Sequence, residues 1–161
     1  MTEVGVRAAP KDPEDAVHIA EHVLELTGRA LLKRDFDALR KCFAVPTVVE
    51  TFEGRRTLKT VDDLRAAFEG VCAHYHGLAM TDLVRRVVAA QFDGADVIRT
   101  THECRVLAGQ NLAQAPYAVY SRLEKDGEDW RVAESIYIID NAPIFTRALS
   151  FGTPPRIHEG T

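Results

Sequence analysis

Apolar and polar residues alternate along the second half of the chain, from Met80 to Asp140, and three short polar turns interrupt the alternation. A period of two is typical of β-strands that bury one face, because successive side chains of a strand point to opposite sides. The pattern therefore predicts four consecutive strands that pair as an antiparallel meander. The inward residues of the two clearest strands are Ile98, Thr100, His102, Cys104 and Val106, followed by Ala113, Ala115, Tyr117, Val119, Ser121 and Leu123.

The turn before the last strand decides which face of that strand points inward. A three-residue loop ending in Gly127 is preferred, because glycine takes the positive φ of such a loop at no steric cost. This loop sets Glu124 opposite Glu128 and brings Ser135 near Tyr117. In this register the inward face of the last strand consists of Ala133, Ser135, Tyr137 and Ile139.

A two-residue turn at Asp126-Gly127 is the alternative, and it would bring Glu134 and Ile136 inward. In the preferred register the outer face of the last hairpin is more apolar than a soluble monomer leaves in water. We expect a second copy of the chain to cover this face in a homodimer, with the C-terminal tail 142–161 as the other candidate. The outer apolar residues are Tyr120, Trp130, Val132, Ile136 and Ile138.

The first half of the chain predicts helices. Apolar residues recur there at three- and four-residue spacing, which is the period of an amphipathic helix. Asp35 is placed to cap the second helix, and Thr60 with Asp63 forms a capping box at the start of the third. The predicted helices are Asp15–Arg34, Phe36–Phe43 and Val61–Gly77.

A short β segment, Thr47–Phe52, and a turn at Gly54-Arg55-Arg56 are predicted between the second and third helices. The order of elements is then helix, helix, short strand, helix and a long meander. This order predicts an α+β fold in which three helices cover one side of a curved antiparallel sheet.

Composition excludes several classes of partner. The chain has 161 residues, a net charge of -4 and a pI of about 5.9, so neither nucleic acid nor an anionic membrane is a predicted partner. No run approaches the roughly 20 apolar residues that cross a bilayer, and the start lacks the apolar core of a signal peptide. We expect one domain at 13–141, a flexible arm at 1–12 and a tail at 142–161.

Cysteine and histidine spacing does not predict a metal site. Cys42, Cys72 and Cys104 are odd in number and far apart, which favours free thiols in a reduced, cytoplasmic protein. The string His18-Ile19-Ala20-Glu21-His22 matches the H-x-x-E-H zinc motif, but both histidines face away from the apolar stripe of their helix. No phosphate-binding loop or dinucleotide fingerprint occurs, so we predict no organic cofactor.

Three segments carry a resemblance to a known group of proteins. They are Arg34-Asp35-Phe36-Asp37-Ala38-Leu39-Arg40, then Pro46-Thr47-Val48-Val49-Glu50 leading to Thr60-Val61-Asp62-Asp63-Leu64, and finally Gly127-Glu128-Asp129-Trp130-Arg131-Val132. Between Pro13 and Asn141 the chain resembles the nuclear transport factor 2-like superfamily, and within it the SnoaL-like and ketosteroid-isomerase-like groups. The resemblance implies a cone-shaped α+β barrel with an apolar pocket between the sheet and the helices.

The resemblance also implies candidate chemistry. Glu50 stands where ketosteroid isomerases have their proton-shuttling aspartate, but Thr27 and Val119 replace their tyrosine and their neutral aspartic acid. Steroid isomerisation by that mechanism is therefore not expected. The resemblance is compatible with a cofactor-independent isomerase, cyclase or dehydratase, and also with a module that has no catalytic activity.

Glu50 and His102 are the candidate catalytic residues. A carboxylate in an apolar pocket has its pKa raised toward the range of a general base, and a histidine on an apolar face can exchange protons with a ligand. The alternatives are a solvent-facing Glu50 beside Arg55 and a hydrogen-bonded core His102. The candidate ligand-binding residues, each with a core role as its alternative, are Tyr75, Thr100, Tyr117, Ser135 and Tyr137.

Two functional hypotheses follow. The first is a protein that binds a small apolar or carbonyl-bearing molecule in the cone, with Glu50 or His102 moving a proton and the tyrosines holding an oxygen. The second is a non-catalytic module for dimerisation or ligand binding. An open cavity containing both Glu50 and His102 would favour the first, and a sheet-to-sheet dimer would favour the second.

Overall fold

Three helices precede most of the sheet in the computed structural model, which describes residues 12–139. The predicted arm and the predicted tail therefore lie outside the described residues, except for Asp12, which caps the first helix by accepting a hydrogen bond from the Glu14 amide. The predicted capping box of Thr60 and Asp63 is present. The helices are α1, Pro13–Lys33; α2, Phe36–Arg40; and α3, Val61–Gly77.

Seven strands form one curved, mixed sheet that is open rather than closed into a barrel. Its order is β2-β1-β7-β6-β4-β3, with the short β5 paired to β4. The predicted antiparallel meander is confirmed, and one parallel pair, between β1 and β7, was not predicted. The strands are β1, Phe43–Thr51; β2, Gly54–Leu58; β3, Asp82–Phe92; β4, Val97–Ala108; β5, Asn111–Leu112; β6, Tyr117–Asp126; and β7, Asp129–Ile138.

The core lies between the inner face of this sheet and the helices. Ile98 and Val106 of β4 and Leu123 of β6 are almost completely buried, at 0%, 0% and 2% exposure. The predicted inward face is therefore confirmed from Ile98 to Val106 and from Tyr117 to Leu123, whereas Ala115, which was also predicted to face inward, is exposed and precedes β6. Burial of one large aliphatic side chain contributes about 1.5–3 kcal/mol, so this face supplies much of the driving force for folding.

The hairpin between β6 and β7 corrects the predicted register. Its loop has two residues, Gly127 and Glu128, and Asp126 lies opposite Asp129. Gly127 has the predicted positive φ, at 65°, but at the first central position of a two-residue turn. Neither of the two loops considered from the sequence is the one that forms.

A β-bulge then restores the predicted face of the last strand. Between the pairs Leu123↔Val132 and Arg122↔Glu134 the strand β7 has one extra residue, Ala133. Ser135 is consequently buried as predicted, but it pairs with Ser121 and not with Tyr117. A bulge of this kind changes which residues face inward on one side of it only.

The bulge also corrects the predicted outer face. Val132 is buried in the core with Ile98 and Leu123, and Trp130 packs against Phe92 with ring centroids 6.1 Å apart. The apolar residues of the last hairpin that do lie outside are Tyr120, Ile136 and Ile138.

The segment around β1 and β2 differs from the prediction as well. The second helix ends at Arg40 rather than Phe43, and Phe43 begins β1. The predicted turn Gly54-Arg55-Arg56 is the first half of β2, which pairs with β1 so that Glu50 lies opposite Arg55. The actual turn is at Phe52 and Glu53.

Replacing Gly127 by alanine tests the turn. A Cβ on Gly127 would meet no atom within 4 Å, so the cost is the positive φ alone, and we expect a loss of about 1–2 kcal/mol in the free energy of unfolding. The measurement is denaturant unfolding of both proteins.

The matched control is Gly77→Ala at the end of α3, where the space is equally open and φ is not positive. We expect Gly77→Ala to be neutral or to stabilise by up to about 1 kcal/mol. Equal effects of the two substitutions would contradict this reading of the turn.

Candidate functional site

A cavity of about 70 Å³ lies inside the cone between α1, α3 and the inner face of the sheet. A second cavity of about 30 Å³ adjoins it toward the start of α1. Most of the wall is aliphatic or aromatic, and a few polar side chains project into it. The residues that line both cavities are Thr27, Phe43, Arg85, His102, Val119 and Tyr137.

His102 projects from β4 into both cavities, as its alternation predicted, and is only 5% exposed. Burial and, to a smaller extent, the charge of Arg85 together lower its pKa from 6.5 to about 3. The ring is therefore neutral near pH 7. It can take part in hydrogen bonds there, but it is a weak base.

Two tyrosine hydroxyls meet at the α3 side of the larger cavity. The Oη atoms of Tyr75 and Tyr117 are 3.3 Å apart, and Cys104 lies beside them in the same core cluster. Burial raises the pKa of both phenols and of the Cys104 thiol. All three groups are protonated at neutral pH and can donate hydrogen bonds.

Tyr137 and two smaller hydroxyls complete the polar wall. Tyr137 lines both cavities, and burial raises its pKa while a hydrogen bond with Ser135 acts in the opposite direction. Thr100 and Ser135 line the smaller cavity. The Thr100 hydroxyl donates to the Ala89 carbonyl at 3.0 Å, where β3 has its bulge.

Arg85 is the cavity residue that the sequence analysis missed. It lies on the inner face of β3, opposite Cys104, between the inward Leu83 and Val87. Its Nη1 donates to the Thr27 hydroxyl at 2.8 Å and to the Leu24 carbonyl at 3.2 Å. The signal was the alternation of these three residues, but the Val- and Ala-rich composition of β3 left its register undefined.

Glu50 does not lie in the cavity, which corrects the prediction that it is an interior base. It is on the outer face of β1, where its Oε1 accepts from Arg55 at 2.8 Å and its side chain is 38% exposed. The neighbouring Val49 is the residue that faces inward. Glu50 and His102 are thus on opposite sides of the sheet and do not form one proton-transfer site.

The cavity is an environment of hydrogen-bond donors and positive charge. Its polar groups are a cationic guanidinium, a neutral imidazole, three protonated phenols, a protonated thiol and the Thr27 hydroxyl. None of the described residues that line it is a carboxylate. Such a wall favours an oxygen-bearing ligand and does not provide a base for chemistry near pH 7.

The histidines of the H-x-x-E-H string do not form a metal site with other described residues. His18 and His22 are exposed on α1, and no three His, Cys, Asp or Glu side chains between residues 12 and 139 come together as a metal site requires. None of the helices in the same range is long and apolar enough to span a membrane.

The fold is the nuclear transport factor 2-like, or cystatin-like, fold, and the predicted resemblance is confirmed at this level. No protein-family model and no curated protein matches the sequence. The structural matches have low sequence identity, so they establish the fold and not the chemistry.

Three solved structures illustrate the match. A nuclear-transport-factor-2-like protein of unknown function from Shewanella oneidensis MR-1 superposes with a TM-score of 0.62 at 12% identity, covering 80% of this chain and 100% of that one. A cystatin-like domain from Nostoc punctiforme gives 0.62 at 17%, covering 82% and 80%. A second cystatin-like protein from that organism gives 0.60 at 16%, covering 77% and 90%.

Burial of His102 predicts a loss of stability in acid. The unfolded state takes up a proton below pH 6.5, whereas the folded state does so only near pH 3. Folding is therefore opposed by about 1.4 kcal/mol for each pH unit between these values. We expect His102→Gln to remove that part of the slope when the free energy of unfolding is measured between pH 6.5 and 4.5.

The control is His76→Gln, which removes an imidazole from an exposed residue of α3. His74, whose pKa burial also lowers, contributes equally in all three proteins. An identical slope for wild type and His102→Gln would show that His102 is not a neutral buried ring.

Proposed function

We propose that the chain is a binding protein that holds a small, oxygen-bearing molecule in its interior cavity without transforming it. The observation that supports this is the wall of the cavity, where hydrogen-bond donors project into a mainly apolar space. Small-molecule sites commonly combine an apolar lining with a few placed polar groups. The resemblance to SnoaL-like proteins adds only that this fold places such pockets inside the cone.

The size of the cavity limits the ligand. An apolar cavity of about 150 Å³ accommodates benzene, with six non-hydrogen atoms. At the same ratio the two cavities, of about 70 and 30 Å³, hold a molecule of about four non-hydrogen atoms. Four such atoms provide at most about 6 kcal/mol, so the dissociation constant lies in the tens of micromolar or above.

Binding is favoured over isomerase, cyclase or dehydratase chemistry by the state of the titratable groups. A general base works best with a pKa near the operating pH, whereas the pKa of His102 is about 3. Glu50, the other candidate base, lies outside the cavity. The tyrosines are suited to holding an oxygen rather than to accepting a proton.

We also propose that the outer face of the sheet packs against a second copy of the chain. Tyr120 and Ile138 are 48% and 37% exposed there. Beside them runs a string of charges of alternating sign, so two copies related by a two-fold axis can match acid to base. The string is Glu50, Arg55, Glu134, Arg122 and Glu124.

A reducing compartment such as the cytoplasm is proposed on the state of the cysteines. Cys42, Cys72 and Cys104 are free and buried, and burial raises the pKa of each thiol. Thiols in this state are packing groups rather than redox centres.

Filling the cavity tests the binding proposal. Ala67 of α3 is 3% exposed and lines the larger cavity. Ala67→Leu therefore adds three carbon atoms to a cavity of about 70 Å³. We expect NMR titration with acetone, a neutral carbonyl probe of four non-hydrogen atoms, to show binding by the wild type that weakens about tenfold or more in Ala67→Leu.

Ala73→Leu is the matched control, because Ala73 is exposed on the same helix. It should bind acetone as the wild type does. Unchanged binding in Ala67→Leu, or no interior binding of any small probe by the wild type, would refute the proposal.

Charge on the outer face tests the dimer. We expect Tyr120→Arg to shift the protein from dimer to monomer in sedimentation equilibrium at micromolar concentration. Leu32→Arg adds the same charge at an exposed residue of α1 and should leave the dimer intact. A wild-type protein that is monomeric at these concentrations would contradict the proposal.

A further inference from the structure

Arg85 places a positive charge at the cavity without a carboxylate partner from the described chain. Between residues 12 and 139 its side chain hydrogen bonds only through Nη1, to Leu24 and Thr27, and no Asp or Glu lies within ion-pair distance of it. Arg85 is half-buried, and a guanidinium that is partly withdrawn from water is commonly paired with an anion. Its Nε and Nη2 have no acceptor among the described residues and are not buried atoms, so they remain available to water or to a ligand in the adjoining cavity.

The surroundings of Arg85 direct that charge inward. The residue lines both cavities, and its charge lowers the pKa of Tyr137, Tyr75 and Cys104, which all lie on the inner side of the sheet. Arg85 also borders a surface groove that lies between α1 and β3. The acid of that groove that forms an ion pair, Glu25, pairs with Arg29 at 2.9 Å and not with Arg85.

We infer that the interior cavity takes a small monoanionic carboxylate, which the Arg85 guanidinium holds through its free donors while the aliphatic wall contacts the carbon end. This inference rests on the proposed binding function and names its ligand class. A guanidinium matches a carboxylate with two parallel hydrogen bonds. Tyr137 borders the same space.

Charge and size select a monoanion over larger anions. His102 is neutral, so Arg85 is the cation that the described wall of the cavity provides. One guanidinium balances one negative charge, whereas a phosphate dianion would leave a charge buried and unpaired. The two cavities have room for about four non-hydrogen atoms, which is the size of acetate.

The test compares acetate with acetamide, a neutral molecule of nearly the same shape. Both are titrated at constant ionic strength into the full chain, and binding is followed by the backbone amide signals of His102 and Cys104 in two-dimensional NMR spectra. We expect the wild type to bind acetate about tenfold or more tightly than acetamide. We expect Arg85→Gln to lose this preference by weakening acetate binding about tenfold or more.

Arg86→Gln is the matched control, since it removes the same charge from the adjacent, exposed residue of β3. It should keep the wild-type preference for acetate. Equal affinities of the wild type for acetate and acetamide would overturn the carboxylate inference and leave the binding proposal standing. Binding of neither probe would overturn both, and this comparison on the wild type decides the outcome even if Arg85→Gln does not fold.

Discussion

The inner face of the curved sheet is concave, and α1 and α3 do not fill the whole of that concavity. Here α1 and α3 cover the inner sides of β4, β6 and β7, and aliphatic packing accounts for most of the contact. The remaining space is lined in part by Tyr75, His102 and Arg85, three side chains with polar ends. The parallel pairing of β1 with β7 adds β1 and β2 to the sheet, and their inward residues Val49 and Leu58 form a further part of the cavity wall.

Polar groups inside such a space must be hydrogen-bonded or pay the cost of lost hydration. The chain meets this requirement locally for most of them: the two phenols face one another, and Thr100 donates to a carbonyl that the β3 bulge exposes. Burial also disfavours charge on the groups that can titrate, so His102 and the phenols are neutral. Arg85 is the exception, since a guanidinium stays charged in proteins. The electrostatics of the cavity therefore depend on what satisfies Arg85.

The sequence predicted the elements whose periodicity is uninterrupted. The alternation of β4 and the capping box at Thr60 are local patterns, and both appear at the predicted residues. The alternation predicted from Leu112 holds only from Tyr117, where β6 begins. The last hairpin was predicted less well because Gly127 suits loops of two and of three residues. The bulge at Ala133 leaves no mark in the pattern, since both Val132 and Ala133 are apolar and both are buried.

The site was harder to predict than the fold because it depends on which residues of different strands face each other. Glu50 and Val49 are adjacent, and only the pairing of β1 with β7 decides which one points inward. Arg85 was hidden for a related reason: its strand has valine and alanine on both faces, so no face of it could be assigned before β4 supplied the register. Residue type alone suggested that the carboxylate of Glu50 is the functional group of the cavity. In the structure the charged residue that lines the cavity is Arg85.

A crystal structure determined twice, from crystals grown without any carboxylate and from the same crystals soaked in acetate, tests the central claim most directly. The account predicts planar difference density inside the cone in the soaked crystal, within hydrogen-bond distance of the Arg85 guanidinium and close to Tyr137. It would be contradicted by a guanidinium turned out into the groove beside Glu21 and Glu25, or by aliphatic side chains that fill the cavity.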